Sequence, residues 1–268
     1  MTRLGVIGWP VAHSRSPAMH NAGLRAVGLT DWRYQYLPIP PDLLAEAVRA
    51  LPAAGFVGAN VTIPHKEAAL ALADEATDTA RAIGAANTLT FAADGAIHAD
   101  NTDAPGLLAA LGDERPRTAV VLGAGGSARA AVHALVGAGA AVGVWNRTPE
   151  RARALARELG AEAVAELAPA DVLVNCTAVG LDDPSSTFKD LPLSADSLDQ
   201  YACVVDLVYR AGGTLLIREA RRRGAHAVDG LEILVSQGAL SFERWTGRAA
   251  PTDVMRRAAS DESTFPVR

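Results

Sequence analysis

An α/β fold of two domains is predicted by three observations. Short β-rich runs alternate with longer alanine-rich runs along the chain. The length of 268 residues suits about two domains of roughly 100–200 residues each. A glycine-rich turn at positions 123–126 stands between one such strand and one such helix. Strands spaced by helices imply βαβ units and mostly parallel sheets, buried on both faces.

Taken in order, residues 4–7 read as the first strand, with an apolar part too short for a signal peptide. Residues 17–27 follow as a helix, with Ser16 as the expected N-cap and Pro17 in the first turn. Helices over 43–51 and 66–73 flank a strand over 59–63, which Pro64 stops. Asp100-Asn-Thr-Asp103 starts a further helix in which Pro105 suits the first turn and Gly112 the end. This helix is expected to bridge the two domains. Strands over 119–122, 142–145, 172–175 and 204–208 then alternate with helices over 128–136, 150–159 and 215–223. Residues 231–245 and 251–259 close the chain as helices. The expected domains are 1–102, 103–232 and a terminal helical segment, 233–268, that packs back on the first.

Hydrophobic residues make up 49% of the chain and charged residues 21%, enough apolar material for a packed core. A net charge of −5 provides no basic field for nucleic acid, so no nucleic-acid partner is expected. No run approaches about 18 apolar residues, so no membrane span is expected. The two cysteines, Cys176 and Cys203, lack metal-ligand spacing and read as reduced thiols of a cytoplasmic protein. His13, His20 and His65 share no ligand spacing either, and no metal site is expected.

Val120-Val-Leu-Gly-Ala-Gly-Gly-Ser-Ala-Arg129 runs from strand through glycine turn to helix. Gly123, Gly125 and Ala128 fill the three small positions of a dinucleotide fingerprint. Gly123 permits the tight turn, Gly125 lets the backbone approach a pyrophosphate, and Ala128 allows close helix–strand packing. The flanking strand and helix make this a Rossmann-type site rather than a chance glycine cluster. The next strand ends in Asn146-Arg147-Thr148, without the Asp or Glu that would take a free ribose hydroxyl. Arg147 offers a guanidinium fork suited to a 2′-phosphate, and Arg151 stands one helical turn further on. The expected cofactor is NADP rather than NAD.

Asn60-Val-Thr-Ile-Pro-His-Lys66 sets polar side chains at the C-terminal end of a strand, where open α/β sheets build ligand clefts. Lys66 opens a helix, where the macrodipole disfavours a cation; that broken rule points to function. Asp103 also sits near a helix start, where capping is its ordinary role. Brought together, Lys66 and Asp103 would form a proton-handling pair. Gly8-Trp-Pro-Val-Ala-His-Ser-Arg-Ser-Pro17 adds Ser14 and Ser16, two hydroxyls beside helix-start amides that would suit a carboxylate. Ser16 has the N-cap alternative; Ser14 has none in the sequence.

These motifs resemble the shikimate dehydrogenase family in content and in order. They are His13-Ser-Arg-Ser-Pro17, Asn60-Val-Thr-Ile-Pro-His-Lys66, Ala86-Asn-Thr88, Asn101-Thr-Asp103, Gly123-Ala-Gly-Gly-Ser-Ala-Arg129, Asn146-Arg-Thr148, Asp206-Leu-Val-Tyr209, and Gln237 with Phe242-Glu-Arg-Trp-Thr-Gly247. The resemblance implies an N-terminal α/β substrate domain, a doubly wound Rossmann NADP domain and C-terminal helices returning to the first. It implies reversible reduction of 3-dehydroshikimate to shikimate by NADPH, with Lys66 as proton donor and acceptor and Asp103 as its partner. Ser14 and Ser16 would hold the substrate carboxylate; Thr62, Asn87, Asp103 and Gln237 would bond the ring hydroxyls, with Tyr209 alongside. Gly123, Ala124, Gly125, Gly126, Ser127, Ala128, Asn146, Arg147, Thr148, Arg151, Thr177, Leu207 and Gly230 would line the cofactor. Leu207 stands where the family usually has Met, and Glu232 where a small residue is common. Other readings are a quinate or aminoshikimate dehydrogenase of the same family, and an NADPH-binding sensor without turnover. A homodimer is allowed for.

Overall fold

The computed structural model describes residues 1–261, so residues 262–268 of the expected terminal segment lie outside the described part. The chain divides into two compact units, Met1–Gly106 with Leu234–Arg268, and Leu107–Ile233. The α/β class is as expected.

The first unit holds β1 (Thr2–Gly8), α1 (Ser16–Ala26), β2 (Trp32–Pro38), α2 (Leu44–Ala50), β3 (Phe56–Val61), α3 (Lys66–Leu72), β4 (Glu75–Ala76), α4 (Asp78–Ile83), β5 (Thr88–Phe91) and β6 (Ile97–Asp100). Its strands form one sheet in the order β2-β1-β3-β5-β6-β4. The sequence reading omits β2, β4, β5 and β6. Aromatic residues at 32, 34 and 36 give β2 a period-two signal. The strands β5 and β6 have four residues each, too few for periodicity to declare itself. The expected parallel sense holds for β2, β1 and β3, but β5 runs antiparallel to both β3 and β6. This hairpin brings the start of β5 and the end of β6 to the edge where β1 and β3 finish. Buried Ile7, Val48, Ala59, Val61, Leu89 and Ile97 form part of the core on one face; each large aliphatic side chain removed from water contributes about 1.5–3 kcal/mol.

The helix α5 (Asp103–Leu111) carries the chain out of the first unit, and Gly112 ends it at φ 63°. The second unit continues with β7 (Thr118–Leu122), α6 (Gly126–Gly137), β8 (Ala141–Trp145), α7 (Pro149–Leu159), β9 (Glu162–Ala163), β10 (Ala170–Asn175), α8 (Thr187–Asp190), β11 (Tyr201–Asp206), α9 (Leu215–Arg222) and β12 (His226–Val228). All its pairings are parallel, in the order β12-β11-β10-β7-β8-β9. Counted from β7 this is 3-2-1-4-5-6, the doubly wound dinucleotide order, and it reverses direction between β7 and β10.

The helices α10 (Gly230–Thr246) and α11 (Thr252–Ser260) end the described chain. From Leu234 on they belong to the first unit, the expected return. The Trp245 indole donates to the Leu89 carbonyl at 3.0 Å. Gly58 in β3 makes room for that indole, since a Cβ there would lie 2.2 Å from its nitrogen. Gly58→Ala is therefore expected to destabilise the protein by about 1–3 kcal/mol through overpacking and a displaced hydrogen bond. Urea unfolding measures this; an unchanged midpoint would mean that the indole does not need the space.

Candidate active site

In the first unit the sheet order turns between β1 and β3, so the segments leaving these strands part there and open a crevice at their carboxyl ends. The chain uses that edge four times, with polar residues each time.

The loop after β1 delivers Ser14 and Ser16, both buried. Ser16 is not the N-cap expected of it. Arg15 occupies the cap position of α1 and its side chain does not cap the helix, and the Ser14 hydroxyl accepts the Ser16 amide at 3.3 Å. Ser14 thus has the local structural role its sequence context did not suggest, and the Ser16 side chain is not used for capping. The segment after β3 delivers Thr62, whose backbone amide bonds to the Ile7 carbonyl at 2.8 Å, and Lys66 at the start of α3. His65 is held by a 2.8 Å contact between Nε2 and the Ile39 carbonyl. His20 lies in the core, stacked on Tyr34 at 4.3 Å. Neither of its ring nitrogens makes a hydrogen bond of good geometry, and burial drives its pKa down to about 3 against a smaller opposing pull from Asn60. Among the described residues no cluster of His, Cys, Asp or Glu could hold a metal ion.

The third and fourth visits come from the β5–β6 hairpin. Asn87 immediately precedes β5, and its carbonyl accepts the Val61 amide at 2.8 Å. Asn101, Thr102 and Asp103 immediately follow β6. Asn101 caps α5, its Oδ1 accepting the amides of Asp103 at 3.0 Å and Ala104 at 3.4 Å. Capping is thereby assigned to Asn101, and the Asp103 carboxylate is released for another use. Its Oδ2 lies 2.6 Å from Lys66 Nζ. Its Oδ1 accepts the Asn87 amide at 2.8 Å. Both side chains of the ion pair are about nine-tenths enclosed, at 11% and 12% exposure, where a carboxylate offsets the unfavourable placement of a lysine at a helix start.

Gln237 of α10 joins the cluster. Its Oε1 accepts from Asn87 Nδ2 at 3.1 Å and from Thr102 Oγ1 at 3.4 Å. Gly106 allows this approach, because a Cβ on it would lie 2.8 Å from the Gln237 Cβ. Lys66, Asn87, Asp103 and Gln237 are therefore joined through direct hydrogen bonds. Thr102 and Asn60 were missed as candidates. Asn60 Oδ1 accepts from the Tyr34 hydroxyl at 2.8 Å, and its Nδ2 reaches the Asn87 carbonyl at 3.2 Å, which fixes the strand ends side by side. Both lie inside motifs already singled out, so their polar character at a strand end was the available signal.

Tyr209 and the residues expected to line the nucleotide belong to the second unit. Gly123 adopts φ 112°, and a Cβ there would come within 3.3 Å of Cys176 and 3.4 Å of Thr177. This brings the turn after β7 against the loop after β10, at the reversal point of the sheet. Beyond Gly125 lies open space: a Cβ would meet nothing within 4 Å. The helix α6 begins at Gly126 without a side-chain cap, Ala124 and Ser127 are half-buried on either side, and Ala128 is fully buried against the sheet. That is the shape a pyrophosphate needs: approachable backbone at a helix N-terminus.

A cavity of about 500 Å³ is lined in part by Trp145, Asn146, Arg147, Thr177 and Ala178. Arg147 and Arg151 are exposed, as is Thr148, whose carbonyl accepts from Asn146 at 2.9 Å. No acidic side chain follows β8 directly. The residues present therefore fit a dinucleotide with a 2′-phosphate. Leu207 and Gly230 also meet, since a Cβ on Gly230 would lie 2.7 Å from the Leu207 carbonyl.

Behind that loop Asp206 is buried. Its carboxyl accepts from Asn175 Nδ2 at 2.9 Å, the Val208 amide at 3.1 Å and Thr214 Oγ1 at 2.6 Å. Asn175 in turn receives the Thr177 hydroxyl at 2.7 Å. Burial pushes the Asp206 pKa up to about 7 despite these donors.

Three family profiles match the chain. They describe a shikimate dehydrogenase substrate binding domain over residues 6–89, a shikimate/quinate 5-dehydrogenase over 108–180 and a shikimate 5′-dehydrogenase C-terminal domain over 230–259. The chain is 46% identical to the NADP(+) shikimate dehydrogenase of Paracoccus denitrificans over 95% of its own length and 94% of the relative's. It is 44% identical to that of Methanopyrus kandleri, over 95% and 93%. The crystal structure of shikimate 5-dehydrogenase from Thermus thermophilus in complex with NADP(H) and shikimate superposes with a TM-score of 0.87 at 45% identity, covering 97% and 98% of the two chains. Among the described residues no helix is long and apolar enough to cross a membrane.

Proposed function

The chain belongs to the shikimate dehydrogenase family, and we propose that, in catalysing the NADP-dependent reversible reduction of 3-dehydroshikimate to shikimate, it uses Lys66 as general acid and base with Asp103 as its partner. The observation that supports this reading best is the 2.6 Å contact between Lys66 Nζ and Asp103 Oδ2 inside a cluster of amides and hydroxyls. NADPH supplies the hydride when bound. The Lys66 ammonium donates a proton to the carbonyl oxygen as negative charge develops there, and takes one back from the hydroxyl in the reverse direction. Asp103, its other oxygen held by Asn87, fixes the ammonium in place.

An anionic, polyhydroxylated substrate calls for hydroxyl and amide donors rather than an apolar pocket. Ser14 and Ser16 take its carboxylate in this reading, while Thr62, Asn87, Tyr209 and Gln237 face its ring hydroxyls. Lys66 and Asp103 compensate one another, so recognition of the carboxylate is assigned to the serines and the nearby backbone amides. The glycine turn at 123–126 with Ser127 and Ala128 holds the pyrophosphate, and Asn146, Arg147, Thr148 and Arg151 surround the 2′-phosphate. Thr177, Leu207 and Gly230 lie toward the nicotinamide.

Absorbance at the reduced-cofactor band, with shikimate or quinate against NADP or NAD, tests the reading directly. Shikimate with NADP is expected to be the fastest pair; no reduction of NADP with shikimate would reject it. Arg147→Ser is expected to raise KM for NADP by about tenfold, the scale of one charge-assisted hydrogen bond at an exposed site, and to leave KM for NAD nearly unchanged. Equal losses for the two cofactors would remove Arg147 from the 2′-phosphate.

We assign the enzyme to the cytoplasm, in keeping with Cys176 and Cys203 standing outside any disulfide, as thiols do in a reducing compartment. A homodimer would show twice the chain mass by light scattering.

A further inference from the structure

We propose that Arg15 is a positioning residue for substrate binding: its buried side chain ties the Ser14–Ser16 turn to the C-terminal end of α11 and so sets where the two hydroxyls stand. The inference rests on the reading that these serines hold the substrate carboxylate.

Arg15 is one of the largest fully buried side chains of the molecule, at 2% exposure. Its neighbours in sequence are the two serines, but its own donors go elsewhere. Nε donates to the Ala259 carbonyl at 3.0 Å, and Nη2 to the carbonyls of Ala258 at 3.3 Å and Asp261 at 2.7 Å. The last carbonyls of a helix have no partner within it, and a cation is favoured there by the helix dipole. The planar fork of a guanidinium meets several such carbonyls in a fixed, extended geometry that the compact ammonium of a lysine does not reproduce. A guanidinium removed from water must keep its donors bonded, so the side chain is held where α11 ends. Gly23 lets α11 come close to α1, since a Cβ there would lie 3.1 Å from Met255 Cγ.

The turn is restrained on its other sides too. The Ser14 amide donates to the Val11 carbonyl at 3.0 Å, and the Tyr36 hydroxyl donates to the Ser14 carbonyl at 3.0 Å. Neutral hydroxyls bind an anion well only if they are already in place, because they lack the long-range pull that would draw the ligand into register. Arg15 supplies that placement from a contact made 243 to 246 positions further along the chain. This gives the returning C-terminal helix a part in carboxylate recognition without touching substrate.

The test compares kcat/KM for shikimate and for its methyl ester, which lacks the anionic carboxylate. Arg15→Met is expected to lower kcat/KM for shikimate by about 10- to 100-fold, the scale of a displaced binding group. It is expected to act through KM, with kcat and the KM for NADP close to the parent, and to change the ester by less than about threefold. Arg15→Lys, which keeps the buried charge but not the fork, should fall between and carries the test if Arg15→Met does not fold. Equal losses on acid and ester, or no loss on the acid, would overturn the proposal. Ser14→Ala and Ser16→Ala, run in parallel, separate the two readings. If they lack selectivity for the acid, the assignment of the carboxylate to the serines fails. If they show it and the Arg15 variants do not, only the positioning role fails.

Discussion

Lys66→Ala is expected to lower kcat by at least about 10²-fold, the usual scale for loss of a positioned general acid. The proton then has to come from water at the moment negative charge forms on the carbonyl oxygen. The substitution also leaves the Asp103 carboxylate, only 12% exposed, without the cation 2.6 Å away, so a like charge faces the developing alkoxide. Binding of NADPH, followed by nucleotide fluorescence, should be unchanged, because the residues proposed for it belong to the other unit. Circular dichroism separates a chemical effect from misfolding. A well-folded Lys66→Ala enzyme with parental kcat would show that Lys66 does not handle the proton.

The second large effect is a pH response of opposite sign in the two units. His20, in the first unit, has its pKa lowered from 6.5 to about 3 by burial. Between those values the unfolded chain takes up a proton that the folded one refuses. Stability from this group is present above pH 6.5 and is lost as pH falls toward 3, by about 5 kcal/mol over the full range. Asp206, in the second unit, has its pKa raised from 3.8 to about 7, again chiefly by burial. The folded form keeps a proton that the unfolded form has released. Its stabilising effect is complete below pH 3.8 and declines as pH rises through 7, by about 4 kcal/mol.

Acidification from pH 6.5 to 4 is therefore expected to weaken the first unit and strengthen the second. Hydrogen exchange resolved by peptide, corrected for intrinsic rates, reads this as lost protection in β1 and β3 and gained protection in β10 and β11. His20→Phe, which can keep the stack on Tyr34, should flatten the first response. Asp206→Asn should flatten the second, since an amide oxygen still serves Asn175 and Val208. The same response in both units, or a parental pH profile in Asp206→Asn, would rule this account out.

Much of the second unit was legible from sequence because its signals are local. The Gly123 turn, the helix behind it and the Arg147 strand end lie within about thirty residues of one another, the length of one βαβ unit. Each glycine there has a backbone reason that a one-dimensional pattern can carry. The first unit was legible only in part. Lys66 is readable as chemically unusual, a cation at a helix start, whereas Asp103 at another helix start has capping as its ordinary reading. The capping competition could not be resolved: Asn101 and Asp103 both suit a helix start, and only the 3.0 Å bond from the Asp103 amide to Asn101 shows which one caps. The same holds for Ser14 and Ser16: the sequence favours Ser16 as the cap, and the structure gives the Ser16 amide to the Ser14 hydroxyl. A hydroxyl two residues from an amide caps as readily as one at the formal position, and the backbone angles decide.

By itself the sequence determined the α/β class, the dinucleotide turn and NADP as the cofactor, and it singled out Lys66 and Asp103 as candidates, because all of these follow from short-range periodicity and residue chemistry. The tertiary structure alone decided that those side chains meet. The β5–β6 hairpin reverses direction inside a sheet otherwise mostly parallel, so the start of one four-residue strand and the end of the next arrive at the edge where β1 and β3 finish. Strand sense depends on pairing between segments distant along the chain, and nothing in eight short residues encodes it. Gln237 arrives at the same place only because Gly106 lacks a Cβ where α10 crosses α5, a contact between positions 131 apart that local patterning does not report.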